Sequence, residues 1–180
     1  MKTRSYMSSI CVALLLSGCV TNQPKSVVQE PVSGIGNMQV IGQAEYVTVQ
    51  PAGLRYRARI DSGATTCSMS ALDIKRFERD GEKWVRFRLP IPSEEEGEEL
   101  QKSDAMEYPI SRIANIKRHG AEDQIRPAVK MEVQLGRFEG RVEFTLADRT
   151  KYEFPILIGR NLLEGHAVVD VSKSYIAEDN

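Results

Sequence analysis

The pattern of apolar and polar positions in this chain is mainly that of short β-strands. Apolar and charged residues alternate at 54–60 and again at 84–89, which is the two-residue period of a strand with one buried face. The same alternation recurs at 128–135 and 141–146, on either side of a turn bounded by two glycines. Residues 154–158 form a continuous apolar run and predict a buried strand. Short strands with frequent turn signals predict an all-β fold, a small closed β-barrel.

Weaker patterns complete this outline. Residues 40–41 and 45–49 predict strands before the first alternating segment, and 167–171 predict a last strand. Residues 70–73 are compatible with a strand end or with one helical turn. The polar start and paired leucines of 161–163 predict one short helix close to the C-terminus.

The N-terminal segment has the features of an export signal. Lys2 and Arg4 precede an apolar run at 10–16, which is too short to span a bilayer, so residues 1–18 are interpreted as a signal peptide. Leu16-Ser17-Gly18-Cys19 resembles the cleavage motif of bacterial lipoproteins. That resemblance implies a lipidated Cys19, and because Val20 is not Asp, an outer-membrane lipoprotein that faces the periplasm. Residues 19–38 would then be the lipidated cysteine and a flexible tether.

Composition limits the function classes for the remaining domain, 39–177. The chain has 180 residues and a net charge of -1, so it carries no basic field for nucleic acid. No glycine-rich phosphate loop is visible, and no cofactor is predicted. If Cys11 leaves with the signal and Cys19 is lipidated, Cys67 is the only remaining thiol. It lacks a neighbouring His or cation in sequence, and we interpret it as a small buried residue.

Two short motifs carry the candidate chemistry. Asp61-Ser62-Gly63-Ala64 follows the alternating strand at 54–60, so the strand would present the Asp61 carboxylate at its end. By itself this tetrapeptide is also a common turn, because Asp and Ser cap turns and Gly tolerates unusual backbone angles. Near the other end of the chain, Ile156-Leu157-Ile158 runs into Gly159-Arg160. The two motifs together, in this order and on these elements, are far more specific than either alone.

This pair of motifs resembles the active-site signatures of retropepsin-like aspartic proteases. Over residues 40–176 the chain is similar to a bacterial branch whose members are often labelled ATP-dependent zinc proteases. The resemblance implies that Asp61 is catalytic and that Ser62, Gly63, Ala64, Gly159 and Arg160 support it. Since one chain has one such Asp, it also implies a homodimer in which two Asp61 carboxylates activate water. We expect Arg160 to form an internal ion pair that braces the site.

Two polar segments leave alternatives open. Residues 116–125, with His119 and Gly120 at the tip, correspond by position to the flap that closes over substrate in retropepsins, but they also fit a plain surface hairpin. Five glutamates lie within 93–102, and this segment is either a solvated loop or a recognition element. Some relatives trim glutamate tails from a ribosomal protein, and these glutamates would repel such a substrate.

The residue types and their spacing give little support for a zinc protease. No H-E-x-x-H is present, and His119 and His166 are the only histidines, on segments without ligand spacing, so no metal is predicted. The sequence therefore predicts an aspartic endopeptidase of the cell envelope that acts on a peptide or protein substrate. A non-catalytic binding module that keeps the fold is the alternative, and a zinc-dependent protease is a weaker one.

Overall fold

The computed structural model describes residues 36–93, 99–116 and 124–177, and within these ranges the chain is built almost entirely of strands. One short helix, α1 (Arg160–Leu163), accompanies them. The strands are β1 (Gln39–Gly42), β2 (Ala44–Val49), β3 (Leu54–Ile60), β4 (Cys67–Ser70), β5 (Leu72–Arg79), β6 (Glu82–Arg88), β7 (Met106–Pro109), β8 (Arg112–Ile116), β9 (Gln124–Leu135), β10 (Phe138–Ala147), β11 (Ile156–Ile158) and β12 (Ala167–Asp170).

Six of these strands close into a barrel, which confirms the predicted fold class. Starting at β10, the hydrogen-bonded neighbours are β4, β11, β3, β2 and β9, and β9 pairs back with β10. β8 is not part of this ring and pairs with the first half of β9, on the edge whose other end pairs with β2. The alternation predicted at 54–60 is confirmed, since every second residue of β3 from Tyr56 onward is buried.

The barrel interior holds the main core. Fully buried side chains from several strands and from α1 meet there, among them Met131, Phe144, Ile158 and Leu162. Each side chain of this kind contributes about 1.5–3 kcal/mol when it leaves water. The packing of α1 against this core sets the position of the chain immediately after β11.

A three-stranded sheet of β5, β6 and β7 lies outside the barrel's strand order and was not predicted in full. Residues 70–73, interpreted as a strand end or a helical turn, are the junction at which β4 ends and β5 begins. Most of β5 is exposed or only partly buried, so it lacks a clear apolar period. Phe77 on β5 and Trp84 on β6 lie against each other, with ring centroids 6.5 Å apart.

The two ends of the described domain are joined. β1 and β12 form a parallel pair with Gln39 opposite Ala167. Behind this pair, the Glu45 side chain accepts hydrogen bonds from the backbone N–H groups of Gly42, Ile176 and Ala177, at 2.6–3.2 Å. The residues that follow β12 are thereby attached to the start of β2.

The predicted signal peptide, Cys19 and most of the tether lie outside the described residues, and these assignments stay predictions. Among the residues that are described, no helix has both the length and the apolar character needed to cross a bilayer.

Candidate active site

The strand order places the two sequence motifs side by side. β3 delivers Asp61 at its end, and the chain returns as β4 after the Asp61-Ser62-Gly63-Ala64 turn. β11 lies between them, parallel to β3 and antiparallel to β4. The backbone N–H of Asp61 donates to the carbonyl oxygen of Ile158 at 2.9 Å. The end of β11 therefore meets the Asp61 turn, so the two motifs lie side by side in the fold.

The turn itself holds the Asp61 carboxylate. Its Oδ1 accepts hydrogen bonds from the backbone N–H of Gly63 at 2.9 Å and of Ala64 at 3.2 Å. The Ala64 N–H also lies 3.2 Å from the Asp61 carbonyl oxygen. Asp61 is only partly buried and Ser62 is exposed, so the turn faces the outside of the chain. A carboxylate fixed in this way is oriented before any ligand arrives.

Gly159 is required because the backbone after β11 touches the turn directly. A Cβ atom at this position would lie 2.8 Å from the carbonyl carbon of Thr66 and 2.9 Å from the carbonyl oxygen of Ala64. The next residue, Arg160, donates its backbone N–H to the same Ala64 oxygen at 2.8 Å. Any larger residue at 159 would push the helix α1 away from the turn.

Arg160 binds the turn, but the predicted ion pair is wrong within the described part of the chain. Its Nη1 donates to the carbonyl oxygens of Ser62 at 3.1 Å and Gly63 at 3.0 Å, and its Nη2 donates to Thr65 Oγ1 at 2.9 Å. The turn leaves these carbonyls without strand partners, and the flat guanidinium fork can serve two at once. Arg160 therefore braces the backbone of the turn rather than a carboxylate.

Asn161 is a site residue that the sequence analysis placed in the helix without assigning it a role. Its Oδ1 accepts from the Cys67 backbone N–H at 2.9 Å and from the Cys67 thiol at 3.0 Å. Its Nδ2 donates to the Glu143 carbonyl oxygen at 2.9 Å. The side chain thus joins α1, β4 and β10. In the sequence, the signal for this role is an amide residue directly after Gly159-Arg160.

Cys67 is fully buried, as predicted for a small interior residue. Burial raises the pKa of its thiol to about 11, against an ordinary value near 9. The backbone N–H of Gly159 approaches its sulfur at 3.2 Å. A thiol that stays protonated at neutral pH is a poor nucleophile, so Cys67 serves packing at the site.

A cluster of polar side chains lies beside the turn, and its role was not predicted from the sequence. Arg112 at the start of β8 donates from Nη2 to Thr66 Oγ1 at 2.9 Å and from Nε to Glu143 Oε1 at 2.7 Å. Ser111 Oγ lies 2.6 Å from the other Glu143 oxygen. Burial alone would raise the pKa of the Glu143 carboxyl, but the bonds from Ser111 and Arg112, with the Arg112 and Lys130 charges, keep it below its usual value.

The hairpin around the predicted flap is partly described. β8 and β9 are antiparallel, with Ile116 opposite Gln124, so the strands on either side of the predicted tip are paired. The tip residues His119 and Gly120 lie outside the described residues. The assignment of this hairpin as a flap stays a prediction.

A cavity in the described parts of the chain lies apart from Asp61, which is not among its lining residues. It has a volume of about 760 Å³, and Arg55, Arg57 and Arg149 are among the residues that line it. Arg57 precedes Asp61 by four residues on one strand, a distance of about 13 Å along the chain. At the Asp61 turn itself, Ser62 and Gly63 are exposed and Asp61 is partly buried.

No metal centre is evident in the parts of the chain that the structure describes. No group of three His, Cys, Asp or Glu side chains lies close enough there to hold a metal ion. His166 packs its ring edge-on against Phe138, with centroids 4.8 Å apart.

Similarity to known proteins covers the same region. A curated protein from Shewanella pealeana, named probable alpha-L-glutamate ligase, is 33% identical over 140 residues, which are 77% of this chain and 30% of that protein. A protein of the same name from Desulfotalea psychrophila is 28% identical over 134 residues, or 73% of this chain and 28% of that protein. The chain thus spans about 30% of the length of the curated relatives it matches.

A solved structure shares the fold. The crystal structure of Lpg0085, a protein of unknown function from Legionella pneumophila subsp. pneumophila, matches with a TM-score of 0.64 at 22% identity, over 77% of this chain and 98% of that one. A family model described as the retropepsin-like aspartic endopeptidase RimB matches residues 40–180. This match spans the Asp61 turn, β11 and the Gly159-Arg160 junction, and the chain therefore belongs to the RimB-like family of retropepsin-like aspartic endopeptidases.

Proposed function

We propose that this protein is an aspartic endopeptidase that works as a homodimer. The observation that carries the proposal is the Asp61 carboxylate, held by two backbone N–H groups of its own turn. The same turn is supported from behind by Gly159 and Arg160. Family membership gives this arrangement a known class of chemistry.

In the proposed reaction, two Asp61 carboxylates from two chains lie so close that they share one proton. The ionised carboxylate takes a proton from water, whose oxygen attacks the carbonyl carbon of the scissile peptide bond. The protonated carboxyl polarises that carbonyl and then delivers its proton to the leaving nitrogen. Water is consumed, one C–N bond breaks, and the pair returns to its shared-proton state.

A second copy of the chain is needed because each chain supplies one such turn. A two-fold axis through the pair would make the interface isologous, with the same surface used by both copies. The exposed side of the Asp61-Ser62-Gly63 turn is consistent with this placement, since no bulky side chain of the turn would separate the two carboxylates.

We propose that the substrate is an extended peptide held as an added strand. β8 supports this view because it ends the strand order of its sheet and pairs there with β9 alone. The names of the curated relatives concern glutamate, whereas the five glutamates within 93–102 would repel an acidic peptide. Glutamate-rich and neutral peptides are therefore tested side by side. We do not extend ligation to this chain, because the similarity covers less than a third of those proteins.

The proposed location is the periplasmic side of the outer membrane, with Cys19 as the lipid-bearing residue. The support is the sequence around Leu16-Ser17-Gly18-Cys19. Confinement to a membrane would raise the effective concentration of chains and favour the dimer.

The test is cleavage of a peptide library, containing both glutamate-rich and neutral sequences, by the full chain across acidic to neutral pH. Asp61→Asn keeps the shape of the side chain but removes the shared proton, and we expect it to reduce cleavage at least about a thousandfold. Asp104→Asn, an exposed acid away from the turn, is the matched control.

The outcomes separate the candidate functions. Cleavage that survives a chelator but is lost in Asp61→Asn supports the aspartic peptidase. Cleavage stopped by the chelator alone would favour the zinc-dependent alternative. No cleavage by a folded dimer would favour the non-catalytic binding module.

A further inference from the structure

The strand β8 and the loop after Asp61 are neighbours that share no backbone pairing. β8 forms its ladder with β9, and no backbone hydrogen bond within the described residues joins it to the catalytic turn. The contact between them is made by side chains. Arg112, the first residue of β8, donates from Nη2 to Thr66 Oγ1 at 2.9 Å.

Glu143 on β10 fixes the orientation of this arginine. Its Oε1 accepts from Arg112 Nε at 2.7 Å, while Ser111 Oγ lies 2.6 Å from its Oε2. The Glu143 side chain is 21% exposed and the Arg112 side chain 43%, so the orientation of the guanidinium depends on the directions of its hydrogen bonds rather than on burial of the charges. The guanidinium therefore binds Glu143 of the barrel through Nε and Thr66 of the loop after Asp61 through Nη2.

The same network also reaches the other side of the loop. The Glu143 carbonyl oxygen accepts from Asn161 Nδ2 at 2.9 Å, and Asn161 in turn binds the Cys67 backbone. Glu143 thus holds two neighbouring residues of the loop. Its carboxylate binds Arg112, which binds Thr66. Its carbonyl oxygen accepts from Asn161, which binds Cys67. A shift of β8 would be transmitted to the loop that carries Asp61.

We propose that Arg112 is a positioning residue for the peptidase reaction, holding β8 at a set distance from the Asp61 turn with Glu143 as its anchor. The proposal rests on the proposed function and assigns a role to a residue pair outside the two motifs. A peptide bound between β8 and the turn would have its scissile carbonyl aligned by this spacing. Arg112 itself contacts neither the reacting atoms nor the Asp61 carboxylate.

Arginine suits this role better than lysine. It reaches Glu143 with Nε and Thr66 with Nη2 at the same time, whereas one ammonium cannot hold both positions in a fixed plane. Displacement of a reacting group by about 1 Å can cost about a hundredfold in rate. Loss of the arginine should therefore affect the chemical step more than substrate binding.

The kinetic test measures kcat and KM for Arg112→Ala, Arg112→Lys, Glu143→Gln and the Arg112→Ala/Glu143→Gln double variant. We expect kcat to fall about tenfold or more in Arg112→Ala and in Glu143→Gln, with KM changed by less than about threefold. Arg112→Lys should recover part of the loss. The kcat of the double variant should be no lower than that of the less active single variant, because the two residues act as one unit.

Arg86→Ala is the matched control, since Arg86 Nε forms a similar bond of 2.7 Å to Glu107 on the separate β5–β6–β7 sheet. An equal loss in this control would overturn the proposal. Additive losses in the double variant, or unchanged kinetics in Arg112→Ala, would also overturn it. A rise in KM alone would do the same, because it would make Arg112 a substrate contact.

Amide hydrogen exchange of the full chain tests the same contact without any activity. Arg112→Ala should speed exchange by about tenfold or more in segments 62–67 and 112–116 and leave β5 and β6 unchanged. Unchanged exchange at 62–67 would overturn the proposal even if kcat fell. If the wild-type chain cleaves nothing, the proposed function fails, and exchange decides separately whether Arg112 holds the loop. If Arg112→Ala does not fold, Arg112→Lys and Glu143→Gln carry both measurements.

Discussion

At the scale of single residues, the site depends on side chains that are small or that satisfy backbone groups. Gly159 leaves room for the carbonyls of Ala64 and Thr66, and Arg160 supplies donors for the carbonyls of Ser62 and Gly63. These residues serve the shape of the turn, whereas Asp61 supplies its carboxylate. The arrangement explains why a Gly-Arg pair follows β11.

Gly159→Ala should destabilise the fold because the added methyl would meet backbone atoms at 2.8–2.9 Å, and backbone cannot rotate away. We expect the free energy of unfolding to fall by about 1–3 kcal/mol in urea titrations. Gly36→Ala is the control, since nothing lies within 4 Å of a Cβ atom there. Equal stability of the two variants would show that the turn can move away from β11.

At the scale of elements, β11 organises the site because it runs between the strand that enters the catalytic turn and the strand that leaves it. A three-residue strand can do this only if its surroundings are stable. The closed barrel supplies one support, and the attachment of the C-terminal residues to β2 through Glu45 supplies another. The helix α1 packs against β4 and β10 of the barrel.

Glu45→Ala tests the second support. Glu45 is 1% exposed and accepts from three backbone N–H groups, which alanine would leave without their acceptor. We expect a loss of about 3 kcal/mol in the free energy of unfolding. Glu132→Ala, on an exposed position of β9, should cost much less. A loss in Glu45→Ala no larger than in this control would mean that the C-terminal residues are held by other contacts.

At the scale of the whole molecule, one chain contains half of the proposed catalytic pair. The turn is well ordered by its own hydrogen bonds, yet it presents a single carboxylate on an open surface. Activity would then depend on the concentration of chains as well as on their fold. This follows from the one-Asp motif combined with the chemistry of a shared proton.

Mixing experiments test the dimer directly. When equal amounts of wild-type and Asp61→Asn chains exchange freely, a quarter of the dimers are fully wild type, so activity at fixed wild-type concentration should fall to about half. Specific activity of the wild type should also fall on dilution, in step with dissociation seen by sedimentation. Activity unaffected by the Asp61→Asn chains would rule out a site shared between two copies.

Several features could be predicted from the sequence because they depend on local pattern. Period-two alternation identified β3 and β6, and the short connection between β9 and β10 identified their hairpin. The Asp61 turn and its partner motif were recognisable because the proposed chemistry restricts residue types at adjacent positions. β5 was not identified beyond its first residues, since a largely exposed strand carries no apolar period.

The sequence by itself determined the all-β class and the Asp61 turn, and the need for a second chain stays a prediction from the single Asp motif. The tertiary structure alone decided that Arg160 binds carbonyls, that Asn161 joins three elements and that Arg112 meets Glu143 and Thr66. These partners lie 18–98 residues apart in the chain. Such contacts depend on the path of the backbone around the barrel, and no local pattern of residue types encodes that path.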